Sequence, residues 1–154
     1  MDMVTVMAMD TEKTTRSSKG FTIAVDFDGT IVDHKYPAIG KEKPFAIETL
    51  KALSMDGHRL ILWTARDGNL LEEAVEFCHK RGLDFYAVNS NHPAGYLFQG
   101  RSDKSQKVIA DIYIDDHNLG GLPEWGNIYE MVTGLKQERK NKRRPWYKRI
   151  FRKR

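Results

Sequence analysis

Short apolar runs alternate along the chain with longer stretches of helical spacing. "FTIAVDF", Phe21 to Phe27, is a β-branched run of the kind that forms a strand buried on both faces. In "PFAIETLKALSMDGH", Pro44 opens a helix, Ala46, Leu50 and Leu53 recur near helical intervals, and Gly57 ends it. "RLILWTA", Arg59 to Ala65, predicts a second buried strand. In "NLLEEAVEFCHKRGL", Leu70, Leu71, Ala74, Val75 and Cys78 share one stripe, with Gly82 as the stop. "DFYAVN" predicts a third strand, "RSDKSQKVIA" a short helix, "DIYIDD" a fourth strand, and "PEWGNIYEMVTGLKQE" a last helix from Pro123. Ser90 to Ser102, with a Pro, two Gly and mixed aromatics, predicts a long loop.

Strands alternating with helices predict an α/β fold: a three-layer, Rossmann-like domain with a mainly parallel sheet and helices on both faces. Ligands of such sheets sit beyond the carboxyl ends of the strands. Two of the four strands end there in acid pairs, Asp26 with Asp28 and Asp115 with Asp116, and a third offers the hydroxyl of Thr64. Four carboxylates in a low-dielectric crevice repel one another and resist ionisation. A hard divalent cation such as Mg²⁺, which takes oxygen ligands and a phosphate oxygen, makes their closeness tolerable. Lys104 and Lys107 lie one helical turn apart and either can add positive charge; Lys107, at the start of the apolar stretch before the strand, is preferred.

Bland readings compete at several positions. Asp and Gly are ordinary turn residues, so "DFDGT" alone is also a simple turn. Thr64 can cap the next helix, and Asp33 and His34 read as solvated loop. Trp63, Trp125 and Tyr129 read as core, Asn118 with Gly120 and Gly121 as turn-shaping, and Cys78 as a small buried hydrophobe.

The 154 residues suffice for one domain, placed at residues 20–135 between a flexible extension at 1–19 and a basic tail at 136–154. The tail holds 11 of the 25 Lys and Arg and one of the 21 acids, which leaves 14 bases against 20 acids before it, about −6. That asymmetry points to a polyanionic partner or an anionic surface. A single cysteine allows no internal disulfide and suits the cytoplasm. The N-terminus lacks the basic region of a signal peptide, and no run approaches the roughly 20 apolar residues of a membrane span.

"DFDGT", then "LILWTAR", then a lysine, then a hydrophobic strand ending in "DD", resembles the haloacid dehalogenase superfamily of phosphotransferases. All four of its motifs occur in order between Phe21 and about Glu130. The combination of "AVDFDGTIV", "LILWTAR" and "IDDHNLGGLPEWGNIYEM" is similar to a group of small bacterial members. The resemblance implies that Asp26 is a nucleophile forming an aspartyl-phosphate and that Asp28 is the acid and base. It implies that Gly29 and Thr30 form a turn whose backbone N–H groups approach phosphate, that Thr64 bonds the phosphoryl group, and that Lys107, or Lys104, neutralises charge; Arg66 follows Thr64 closely enough to reach a phosphate as well. Mg²⁺ would be held by the Asp26 side chain, the Asp28 carbonyl and Asp115, with Asp116 a ligand through water or a partner of the lysine.

The spacings leave no room for the cap domain that confers specificity on many of these enzymes. The expectation is a capless Mg²⁺-dependent phosphomonoester hydrolase with an open site, acting on a substrate of unspecified size or borrowing a second subunit of a homo-oligomer as its lid. Trp146, Tyr147, Ile150 and Phe151 interleave with bases in the tail, as in segments that bind nucleic acid or anionic lipid. Two alternatives follow: a phosphatase for nucleic acid ends or a phosphoprotein recruited by the tail, and a non-catalytic metal-stabilised module that binds nucleic acid or membrane through it.

Overall fold

The computed structural model describes residues 20–93 and 107–142. Its elements are β1 (Thr22–Val25), α1 (Ala46–Met55), β2 (Arg59–Leu62), α2 (Gly68–His79), β3 (Ala87–Val88), β4 (Ile112–Ile114) and α3 (Trp125–Lys142). The four strands form one open, all-parallel sheet in the order β3-β2-β1-β4, an α/β fold compatible with a Rossmann-like domain. Ile23 pairs with Leu60 and Ile112, and Val25 with Leu62 and Ile114. The chain runs from β1 through β2 to β3 in one direction and returns to place β4 on the other side of β1. The crevice between the ends of β1 and β4 is therefore the topological switch point, where parallel sheets bind ligands.

Strand periodicity divides the core in two. Ile23, Val25, Leu60, Leu62, Val88 and Ile114 face one side and pack with residues of all three helices, among them Leu50, Leu53, Ala74, Cys78, Trp125 and Ile128. Ala24, Ile61 and Ala87 face the other side, where Val108 covers them with Trp63, Ala110 and Tyr113. Among the described residues this second face is thus covered by extended chain. The helix expected over "RSDKSQKVIA" is absent from its described part, Lys107 to Ala110. The reason lies in side-chain bonds: the Asn91 side chain takes both backbone groups of Ile109, accepting its N–H at 2.8 Å and donating to its carbonyl at 2.6 Å. The Tyr113 hydroxyl does the same for the Ala110 N–H and the Val108 carbonyl. Side chains have satisfied the backbone groups that a helix would use.

Helix α1 ends where Gly57 adopts φ +86°, with the Gly57 N–H bonded to the Ser54 carbonyl and the His58 N–H to that of Leu53. This closure buries His58, whose Nδ1 accepts the Phe21 N–H at 2.9 Å while its ring stacks on Phe21. Burial, aided by the charge of Lys136, holds the His58 pKa below its usual 6.5, against the opposing pull of Asp56. The unfolded chain then binds a proton that the folded one refuses, so stability falls as pH drops below about 6.5. In His58→Asn, which retains an acceptor but does not titrate, the urea midpoint at pH 5 is expected to lie nearer its value at pH 7.5 than in the wild type.

The basic segment from Lys136 begins inside α3. Lys136 donates to the Asp56 carbonyl at 2.8 Å, and Arg139 lies 3.6 Å from Asp111 and over the Phe21 ring. Two of the tail's charges therefore pin α3 to the edge of the domain opposite the crevice. Residues 143–154, which carry the tail aromatics, lie outside the described residues. No helix among the described residues is long and apolar enough to cross a membrane.

Candidate active site

The ladder between β1 and β4 continues through the Asp26 N–H, which donates to the Ile114 carbonyl at 3.0 Å and brings the Asp26 carboxylate to the crevice. The chain then wraps around the buried Phe27, whose carbonyl accepts the N–H groups of Thr30, Ile31 and Val32. The Gly29 N–H donates to the Val32 carbonyl at 2.8 Å. The N–H groups of Gly29 and Thr30 are thus spent inside the turn, which corrects the expectation that they meet phosphate. Gly29 has another physical role. At φ +85°, a Cβ there would lie 2.3 Å from Asp116 Oδ2, so the missing side chain is what admits Asp116 to the crevice.

Thr30 is fully buried and joins the two halves of the site. Its Oγ1 lies 3.1 Å from Asp26 Oδ2 and 3.2 Å from Asp116 Oδ1, and accepts the Asp116 N–H at 3.0 Å. With one proton, the hydroxyl donates to one carboxylate at a time. The indole N–H of Trp125 donates to the Thr30 carbonyl at 3.0 Å, and Thr49 Oγ1 to the Trp125 carbonyl at 3.2 Å. The buried aromatic at the start of α3 therefore supports the turn after Asp26, beyond the packing role its sequence suggested.

Carboxylate oxygens of Asp26, Asp115 and Asp116 all lie within 4.8 Å of one another. Burial, helped by the charges of Asp115 and Asp116, pushes the Asp26 pKa up to about 7, against bonds from the Phe27 N–H and Thr30 that favour the ionised form. Asp115 Oδ1 accepts the His117 N–H at 2.8 Å, and the exposed His117 ring approaches Asp116 Oδ2 at 3.6 Å. An all-oxygen set of three carboxylates fits a hard divalent cation such as Mg²⁺. The Asp28 carbonyl, also expected from the sequence to hold the ion, accepts no hydrogen bond from any described residue.

The Asp28 carboxylate stands apart from this cluster, held by Arg66. Nε donates to Asp28 Oδ2 and Nη2 to Oδ1, both at 2.7 Å. The same guanidinium donates to the carbonyls of Pro37 at 3.0 Å and Ala38 at 2.9 Å, between the rings of Phe27 and Tyr36. Arg66 is 1% exposed, and the bonds to Asp28 raise its pKa above the usual arginine value. The reading of Arg66 as an open phosphate ligand is corrected: its donors are committed to a carboxylate and a loop, and removing one partner of such a buried pair costs about 3–5 kcal/mol.

Thr64 Oγ1 accepts the Arg66 N–H at 3.2 Å, and the Thr64 N–H donates to Asn89 Oδ1 at 2.8 Å. Its hydroxyl serves the Arg66 N–H ahead of α2, whose N-cap is Asp67, so it does not cap that helix as the bland reading held, and it still has its proton to donate. Lys107 is exposed, with Nζ 4.6 Å above the Tyr113 ring, and makes no ion pair with Asp26, Asp115 or Asp116. Among the described residues, that expected neutralising charge is absent from the cluster, because Tyr113 draws Lys107 to the second face of the sheet. Lys104 lies outside the described residues. Asp33 and His34 are exposed, Asp33 pairing with Lys43 at 3.4 Å.

A solved structure described as that of a conserved protein coded by a locus from Bacteroides thetaiotaomicron is 57% identical in sequence, over 75% of this chain and 92% of that chain, with a TM-score of 0.67. The chain belongs to that protein's family. No family model and no curated protein matches the sequence.

Proposed function

We propose that this chain is a Mg²⁺-dependent phosphomonoester hydrolase of the haloacid dehalogenase type that works through an aspartyl-phosphate. The observation that carries the reading is the convergence of Asp26, Asp115 and Asp116 at the switch point, with Asp28 two residues after Asp26 in the order that the motif resemblance requires. Asp26, Asp115, Asp116 and the Asp28 carbonyl would hold the ion, whose chemistry is to offset negative charge on the phosphoryl group and keep Asp26 ionised.

In the first half-reaction an Asp26 oxygen bonds to phosphorus as the bond from phosphorus to the ester oxygen breaks, and Asp28 gives that oxygen a proton. In the second, water attacks phosphorus and yields its proton to Asp28. The bond from phosphorus to Asp26 breaks, restoring its carboxylate and releasing inorganic phosphate. Thr30 orients Asp26, and the Thr64 hydroxyl is free to donate to the phosphoryl group. Positioning and electrostatics of this kind supply most of the catalysis in phosphoryl transfer.

The test is hydrolysis of an aryl phosphate with Mg²⁺ and with chelator. Chelation is expected to reduce turnover by roughly 100-fold or more, with recovery on adding Mg²⁺ back. Turnover indifferent to chelator would contradict the reading. So would the absence of both turnover and labelling of Asp26 by an acyl phosphate.

A further inference from the structure

We infer that Arg66 is a positioning residue: it aims the Asp28 carboxylate at the leaving oxygen, and does so by anchoring it to the loop Tyr36–Ala38. The inference rests on the proposed hydrolase reading and adds to it a residue that acts only through Asp28.

Asp28 takes side-chain hydrogen bonds from no other described residue. The direction of its carboxylate is therefore set by the guanidinium plane alone. A planar fork bonded to both oxygens fixes rotation about the last side-chain bond, which a lysine's single ammonium cannot do. The fork is itself fixed from three sides, by the carbonyls of Pro37 and Ala38 and by the rings of Phe27 and Tyr36 at 5.2 and 5.3 Å. Each Asp28 oxygen accepts one bond from Arg66 and keeps a second lone pair, so the clamped carboxylate can still exchange a proton with a leaving oxygen or a water. A charge this buried without a partner is costly, which explains why the guanidinium stays on Asp28 instead of turning to substrate. The rotation of Asp28 is thus coupled to a loop whose Tyr36 ring is 51% exposed.

A residue that only stabilises the fold would scale the rates on all substrates alike. One that aims the proton donor matters most where the leaving group needs a proton. The experiment compares wild type and Arg66→Lys on two esters: an alkyl phosphate, whose alkoxide leaves poorly, and a dinitrophenyl phosphate, whose phenolate leaves unaided. For Arg66→Lys, kcat is expected to fall on the order of 100-fold on the alkyl ester and less than tenfold on the aryl ester, with KM changed less than threefold. In the Asp28→Asn background, the same change is expected to reduce kcat less than threefold further, because residues that act as a unit are non-additive.

Tyr36→Leu, altered at a half-exposed ring, covers the case in which Arg66→Lys does not fold; a several-fold loss with the same bias toward the alkyl ester is expected. Equal losses on both esters, or additive losses with Asp28→Asn, would overturn the positioning role while the hydrolase stands. A wild type that hydrolyses neither ester would overturn both.

Discussion

Asp26→Asn is expected to lower Mg²⁺-dependent turnover at least 1,000-fold and to make the metal-free protein more stable at neutral pH. The loss follows from removing the atom that bonds to phosphorus; deletion of a nucleophile is among the largest single effects in enzymes. The gain follows from burial, which raises the Asp26 pKa from 3.8 to about 7. An unfolded chain releases this proton near pH 4, whereas the folded chain keeps it to about 7. Stability is thus fully present below pH 4 and declines as pH rises through 7.

Three pK units correspond to about 4 kcal/mol at 1.36 each, and partial solvation reduces this to about 2. With chelator at pH 8, Asp26→Asn should therefore unfold at a higher urea concentration than the wild type, and the difference should vanish near pH 4. Mg²⁺ should stabilise the wild type and leave the variant unmoved. A variant that is inactive yet less stable at pH 8 would mean that Asp26 is not the strained member of the cluster.

Gly29→Ala comes next in expected effect, and it acts on metal binding without removing a ligand. The new Cβ would enter at 2.3 Å from Asp116 Oδ2, on a residue with φ +85° that side chains rarely adopt. Backbone strain alone costs roughly 1 kcal/mol. The larger consequence is that Asp116 must swing out of the crevice, breaking its contact with Thr30 Oγ1 at 3.2 Å. Mg²⁺ affinity by calorimetry should fall roughly 10- to 100-fold, the range for disturbed outer-shell support. Unchanged affinity would show that Asp116 takes no part in holding the ion.

The order of elements and the two acid pairs were readable along the chain because both are local. Period-two runs ending in Asp26 and Asp115 predict strands whose carboxyl ends carry the chemistry, and the structure brings those ends together between β1 and β4. Arg66 was misread as a phosphate ligand because nothing near "WTAR" announces Asp28, 38 positions earlier in the chain, as its partner. Thr30 and Trp125 were seen as turn and core, since their joint support of the site spans 95 positions. Asn91 and Tyr113 undid the helix expected at Lys107 through side-chain bonds that periodicity does not encode.

By itself, then, the sequence determined the α/β alternation and the strand-end placement of Asp26, Asp28, Asp115 and Asp116. Those follow from period and charge, which act within a few residues. Only the tertiary structure decided which carboxylates form the cluster and which one Arg66 takes. It also decided why position 29 must be glycine. Those depend on packing between segments far apart in the chain, where a 2.3 Å clash or a 2.7 Å ion pair outweighs any local preference.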